Sequence, residues 1–531
     1  MVESFFERKF APKRLLFWIF WLGSHAGLFA YGFIKQRDDP ELSNLTAIGL
    51  SVMMSRGAGL CLAYDGALIL LPVCRNLISY LRLTFLNKLI LFDENIWFHR
   101  QVAYSMLLWT LIHTFSHYIN FIRAEELGIE KAWFIHYFSP GGQTGHIMLL
   151  IMVLMYTSAH RSIRQQSFET FWYTHHLAFI FMMCLYTHAV GCFVRTNIQL
   201  GPQRCKGYFS WEYTIWGGII YFFERVLREF RSRQPTQITK VINHPSNAIE
   251  IQFAKPSFKY KAGQYLFLNV PKISKLQWHP FTITSAPDDP FVSVHIRQIG
   301  DFTNELAEVL GCNIPTNKSH VPKDLPLLRI DGPFGAPAED ILNNEITILV
   351  GCGIGITPFA SILKNIWYQH KNSRPSKLRR VEFFWICRDI GSFEWFQSLL
   401  KKLEATQLEE GFLKFHIYLT SNLRESTIQY IVINDVSNNS DPLTDLDSRT
   451  HYGRPNFNEI FLRLKKSIKN GKYLPGIEKN LSTNIGVYYC GPSCLAKILK
   501  VDCNNANSEE SCKGRNCLLL ELLPKKVNCN R

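Results

Sequence analysis

A chain of 531 residues with 47% hydrophobic residues and a formal charge of +15 is too long for a small disulfide-stapled scaffold and too apolar for a disordered one. Its fourteen cysteines are scattered rather than set in paired C-x-x-C spacings, which argues against a zinc module in the Cys503, Cys512, Cys517 and Cys529 tail cluster. The basic excess forms no basic helix or aromatic-basic array, so nucleic acid is excluded as a partner. Lys and Arg instead flank apolar runs, as expected beside an anionic leaflet.

The apolar residues are concentrated before about residue 230, and the remainder reads as a soluble protein. A membrane helix needs about 20 apolar residues. Six candidate spans lie near 14–34, 45–74, 101–121, 144–160, 168–191 and 211–230. The first is too long for a cleavable signal and lacks a small-residue cleavage site. Fourteen Lys and Arg lie on the amino-terminal side and in alternate loops, against seven in the opposite loops. This bias makes the chain a multi-pass integral membrane protein with both termini cytosolic. The loop holding Cys192 and Cys205 then lies outside, where a disulfide could persist. The Asn-Leu-Thr acceptor at 44–46 abuts the bilayer and is expected to stay unmodified.

Histidines inside such spans are costly and therefore candidates for function. His99 and His113 are fourteen residues apart, about 40° short of four full turns, so both face one way with about 21 Å between them. The fifth span offers His175 or His176, with His188. On an ideal wheel these are about 140° or 120° out of phase, so the helix is kinked or overwound, or the rings reach around it. A lone buried histidine is more often a hydrogen-bonded core residue. Two on each of two helices instead suggest paired axial ligands for two stacked haems, His99 with His175 or His176 inside and His113 with His188 outside. His117 lies one turn beyond His113. Arg56, in the second span, needs an anionic partner or must snorkel. Asp65 lies on the opposite face of that helix with no evident role and suits a neutral carboxyl.

From 231 to about 340 short strands alternate with turns: AIEIQFA, QYLFLNV, FVSVHIR and LLRIDGPFG. They predict a small antiparallel barrel. Within it His279, Pro280, Phe281, Thr282, Ile283, Thr284 and Ser285, then His295, Ile296 and Arg297, then Gly300, Asp301, Phe302 and Thr303 offer an arginine and hydroxyls suited to a flavin and its pyrophosphate. After 341 the pattern becomes strand, glycine loop, helix. Gly351, Gly353, Ile354, Gly355, Thr357 and Pro358 form a turn at a helix start, an anion site. The next strand ends in Cys387 and Arg388, and an arginine there fits a 2′-phosphate. Cys490, Gly491 and Pro492 close a later strand and could face a nicotinamide.

Together FHR at 98–100, IHTFSH at 112–117, FWYTHH at 171–176, LLPVCRN at 70–76, HPFTITSAP at 279–287, HIRQIGDFT at 295–303, DGPFG at 331–335, GCGIGITPFASIL at 351–363, CRD at 387–389 and CGP at 490–492 resemble the NADPH oxidase family, within the ferric reductase-like superfamily. The resemblance implies a six-helix, two-haem membrane domain (1–230) fused to a ferredoxin-reductase-like module. That module has an antiparallel β-barrel FAD domain (231–340) and an α/β NADPH domain (341–531). It favours His175 over His176, places FAD and NADPH on the residues named above with Arg454 added to the NADPH set, and gives Arg56 and His117 to the oxygen pocket. It implies electron transfer from cytosolic NADPH through FAD and two b-type haems to oxygen, with superoxide as product. Lipid and molecular oxygen are the expected partners, with cytosolic regulatory proteins and a small membrane subunit. The alternative is a ferric- or cupric-chelate reductase with the same wire. The tail departs: the chain ends LLPKKVNCNR without the family's usual aromatic, Phe302 stands where Trp is commoner, and residues 503–531 look foreign to the pattern.

Overall fold

The computed structural model describes residues 12–88, 90, 92–188, 190, 197, 199, 202, 210–244, 247–312, 325–388, 390–406, 411–421, 423–437, 440–470, 473, 485–508 and 518–522. The chain divides into two compact units, Met1–Val226 and Leu227–Arg531. Cys192 and Cys205 lie outside the described residues, as do Cys512, Cys517 and Cys529.

The first unit is helical. Each segment read as a span contains a helix: α1 (Pro12–Asp38), α2 (Leu50–Leu68), α3 (Asn95–Glu126), α4 (Pro140–Ala159), the pair α5 (Phe168–His175) and α6 (Ala178–Thr187), and α7 (Ser210–Arg233), which runs on into the second unit. Length and apolar composition alone qualify Arg14–Asp38 and Leu50–Val73 to cross a membrane. The helix Ala132–Phe138, bent by 67° against α4, makes a third if the two form one span. The 32-residue α3 is long enough, but its histidines, serines and threonines dilute its apolar character. Phe20, Phe115, Phe179 and Phe223 are exposed. Large apolar side chains facing outward along several helices are the surface of an integral membrane protein.

Inside this unit α1, α2 and α3 pack around Trp21, Val102 and Met106. With no hydrophobic drive between helices in lipid, close backbone approach matters. Gly57 supplies it: a Cβ there would lie 2.8 Å from the Phe29 carbonyl oxygen. The fifth segment is broken, one of the outcomes that the phase mismatch of its histidines called for. His176 and Leu177 form a turn between α5 and α6. The His176 ring Nδ1 takes the Trp172 carbonyl at 2.7 Å, and its amide turns to Tyr173 at 3.2 Å. A side chain that enters the i→i−4 ladder bends a helix without any proline.

The second unit begins with two three-stranded antiparallel sheets. In one, β1 (Gln237–His244) and β5 (Val292–Arg297) flank β2 (Ala248–Ala254). In the other, β4 (His279–Thr282) and β6 (Arg329–Phe334) flank β3 (Tyr265–Asn269). An Ile283–Val294 bridge links the sheets. Alternate residues Ile249, Ile251 and Phe253 enter a shared core with Leu266, Leu268, Val294 and Ile296, the period-two pattern of one buried face. Helix α8 (Asp301–Val309) closes this core with Phe302 and Leu306.

A six-stranded parallel sheet follows, ordered β10-β9-β8-β7-β11-β12. Its strands are β7 (Ile346–Cys352), β8 (Arg380–Cys387), β9 (Leu413–Leu419), β10 (His451–Tyr452), β11 (Ile485–Cys490) and β12 (Leu518–Leu522). Helix α9 (Thr357–Lys371) follows β7, and α10 (Glu394–Ala405) follows β8. The tail that looks foreign to the family pattern takes part in this domain. Helix α11 (Ser493–Ser508) carries through residue 503 with Cys503 and Ala506 buried in the core, and Leu518–Leu522 adds a parallel strand beside β11. Its short apolar run is hard to see among the surrounding Cys, Asn and Lys. Ser361 of α9 donates to the Ser285 carbonyl at 2.6 Å, so the two halves of this unit touch at the segment read as flavin-binding.

Candidate functional site

The break between α5 and α6 resolves the phase mismatch on the fifth segment. The His99 and His175 rings come to 6.2 Å between centroids, and those of His113 and His188 to 6.3 Å. A metal held between two imidazoles needs about 2 Å per metal–nitrogen bond plus about 1 Å from nitrogen to ring centre on each side, about 6 Å in all. Both pairs fit that separation. His176, left open by the sequence, is exposed and points at its own helix.

Neighbours fix the tautomers. His99 Nδ1 is 2.8 Å from the Ile69 carbonyl and His113 Nδ1 is 2.9 Å from the Ser55 carbonyl. A carbonyl only accepts, so each Nδ1 donates its proton and each Nε2 is the unprotonated nitrogen. Thr144 Oγ1 donates to the Pro140 carbonyl at 2.6 Å and accepts from His188 Nδ1 at 2.8 Å. His175 Nδ1 is buried with no hydrogen-bond partner among the described residues. The His117 ring stands 4.5 Å from that of His113, and the Arg56 charge acts on both. Thr144 and the two carbonyls were missed in the sequence, because a lone threonine and backbone oxygens carry no motif.

Asp65 does have a partner. It is fully buried and lies 3.1 Å from His25 Nε2, while His25 Nδ1 meets the Trp21 carbonyl at 2.8 Å and Ser105 Oγ lies 3.0 Å from His25 Nε2. The partner comes from α1, forty positions away, beyond any local pattern. Asp65, which has no evident role in the sequence, is thus half of a buried carboxyl–imidazole pair.

In the second unit β4, β5 and α8 gather the segments 279–285, 295–297 and 300–303. His279 stacks on Phe302 at 3.7 Å and 18°, and Thr303 Oγ1 accepts from the Ile299 and Gly300 amides. The buried Thr282 Oγ1 has no partner among the described residues, which suits a ligand that supplies one. His279 and His295 are buried, and burial pushes each down to about 4. Arg297 is exposed.

The glycine turn at 353–356, Arg388, Arg454 and the Cys490–Pro492 turn all follow carboxyl ends of the parallel strands. The strand order reverses between β7 and β11, the crevice where such sheets bind nucleotides. Gly351 pairs with Cys490 across it. A Cβ on Gly355 would lie 2.3 Å from the Cys490 carbonyl oxygen, so the two turns close on each other only with glycine. Pro358 starts α9, where its missing N–H costs nothing. Cys387 is buried, and Arg388, Arg454 and Pro492 are exposed.

Three family models match in chain order: the ferric reductase like transmembrane component over residues 66–186, the FAD-binding domain over 233–338, and the ferric reductase NAD binding domain over 345–504. The class is therefore a transmembrane ferric reductase-like domain fused to a flavin and nicotinamide nucleotide module. The chain is 36% identical over 559 aligned positions to NADPH oxidase 1 of Mus musculus, covering 93% of this chain and 91% of that protein. It is 39% identical over 508 positions to a superoxide-generating NADPH oxidase heavy chain of Dictyostelium discoideum, covering 92% of each. It is 34% identical over 556 positions to NADPH oxidase 3 of Homo sapiens, covering 92% and 94%. The chain belongs to the NADPH oxidase family.

Proposed function

We propose that this protein takes reducing equivalents from NADPH on the cytosolic side and delivers them singly across the membrane to molecular oxygen, producing superoxide. The observation that carries this reading is the pair of facing imidazole couples, at 6.2 and 6.3 Å, on helices set in a membrane unit. When bound, FAD would accept a hydride and release single electrons, and two b-type haems would relay them.

The chain's own residues bind and position. His99 with His175, and His113 with His188, would hold the two haem irons, with the Nε2 donors of His99, His113 and His188 set by their Nδ1 hydrogen bonds. Residues 279–285, Arg297 and 300–303 would hold FAD, the hydroxyls and Arg297 serving its polar groups. The glycine turn would cradle the NADPH phosphates on free amides at the start of α9, with Arg388 and Arg454 toward the 2′-phosphate and Cys490–Pro492 beside the nicotinamide. Arg56 supplies positive charge near His113 and His117, where an anionic product would form. Six spans with both termini cytosolic suit the charge bias of the loops.

Washed membranes given NADPH test the reading. A cytochrome c reduction signal abolished by superoxide dismutase is expected; dismutase-insensitive reduction of chelated iron would give the reaction to a metal acceptor instead.

A further inference from the structure

A second histidine group stands on the outer face of the β1-β2-β5 sheet, opposite the barrel core. His244 ends β1, Glu250 sits in β2, and His295 of β5 lies directly across the ladder from Glu250. Glu250 Oε2 is 3.2 Å from His244 Nε2 and 3.5 Å from His295 Nε2. All three potential ligand atoms lie within 4.8 Å of one another. The two rings are held nearly parallel, with centroids 5.4 Å apart and 20° between planes.

His295 and Glu250 are also oriented from behind. His295 Nδ1 meets Thr284 Oγ1 at 2.8 Å. Gln252 Nε2 donates to the other oxygen of Glu250, also at 2.8 Å. Hydrogen bonds to the far side of each ligand are what metal sites use to aim their donors. Phe396 of α10 lies 6.0 Å from the His295 ring and limits water on that side. The charge of Lys364 of α9 acts on His295 but is drawn to Asp289 at 3.6 Å.

We propose that His244, Glu250 and His295 form a binding site for a zinc-class divalent cation, with two imidazole nitrogens and one carboxylate oxygen as ligands and a fourth position open. Two histidines and a carboxylate are a known donor set for such ions. A bound ion would cross-link three strands. Through Thr284 it would also stiffen the 279–285 segment.

The test counts metal on the full-length, detergent-purified protein with haem and FAD measured alongside. Protein is dialysed against micromolar Zn2+, and bound zinc is determined for wild type, His244→Ala and Glu250→Gln. Wild type is expected to retain one equivalent more than either variant at equal haem content; equal zinc in all three overturns the proposal. Should both variants lose FAD through misfolding, zinc-edge X-ray absorption on wild type at one equivalent decides. Two imidazoles with nitrogen or oxygen at about 2.0 Å support the site, and a sulfur shell or the lack of imidazole scattering refutes it.

Discussion

His113 and His188 face each other at 6.3 Å, each with its Nδ1 hydrogen-bonded, to the Ser55 carbonyl and to Thr144 Oγ1 respectively. His188 lies just past the end of α6, so its position depends on the turn at His176 and Leu177 as much as on its own helix. If these two rings hold one iron and His99 with His175 the other, replacements have separable effects. His113→Leu or His188→Leu should halve the haem content and abolish oxygen reduction. His176→Leu should keep both haems. Haem and flavin determination on the purified variants checks this, and loss of haem from the His176 variant would assign the ligand differently.

Thr144→Val removes the acceptor of His188 Nδ1 while keeping the side-chain shape. An imidazole that loses such a partner is a poorer donor, and outer-shell losses typically cost about 10–100-fold in metal affinity. The variant should lose haem faster in detergent than wild type, and the remaining outer haem should titrate at a higher potential. An unchanged redox titration would argue that Thr144 does not tune this ligand.

How much of this could be read from the chain varies with the physics involved. The strands AIEIQFA and FVSVHIR, and the turn at 351–358, were visible because period-two burial and glycine turns are local signals. Strand β4 was not, since Pro280 counts against a strand, yet it sits on an edge where a missing N–H is tolerated. A kink was legible as one answer to the phase mismatch of His175 and His188, but its place at His176 was not, because its cause is a side-chain hydrogen bond rather than a proline. The His25–Asp65 pair joins two helices through space, and no window of sequence contains both.

That pair makes its own prediction. Asp65 is fully buried, and His25 is 4% exposed. Replacing one member strands the other. Asp65→Ala should destabilise the membrane unit by about 3–5 kcal/mol, whereas the double change His25→Leu, Asp65→Leu should recover most of the loss. Thermal release of haem in detergent measures both. A double variant no more stable than Asp65→Ala would show that the two do not act as a pair.

At the nucleotide crevice Arg388 follows β8 and is exposed. If it meets a 2′-phosphate, Arg388→Ala should raise the apparent Kd for NADPH about tenfold or more and leave NADH nearly unchanged. Gly355→Ala should abolish binding of both, since its Cβ would meet the Cys490 carbonyl at 2.3 Å. Flavin reduction followed by stopped flow separates the two effects, and equal weakening toward NADH in the arginine variant would remove the phosphate contact from the account.

The flavin segment should be acid-sensitive in a definite direction. Burial holds His279 and His295 at about 4, whereas an unfolded histidine titrates near about 6.5. Between these values the unfolded chain binds protons that the folded chain does not. The stability that these histidines contribute to the two-sheet domain is therefore full above about pH 6.5 and falls as pH drops toward about 4. FAD release monitored by fluorescence should accelerate across that window, and less steeply in His279→Gln. Release that is flat with pH, or equally steep in the variant, would contradict the assignment.

The most direct test of the central claim is a pyridine haemochrome assay of the purified full-length protein, with FAD measured in the same sample. Two b-type haems per flavin, with a low-spin reduced spectrum, are predicted. A preparation that retains FAD but contains no b-type porphyrin would contradict the claim that the paired histidines hold haem.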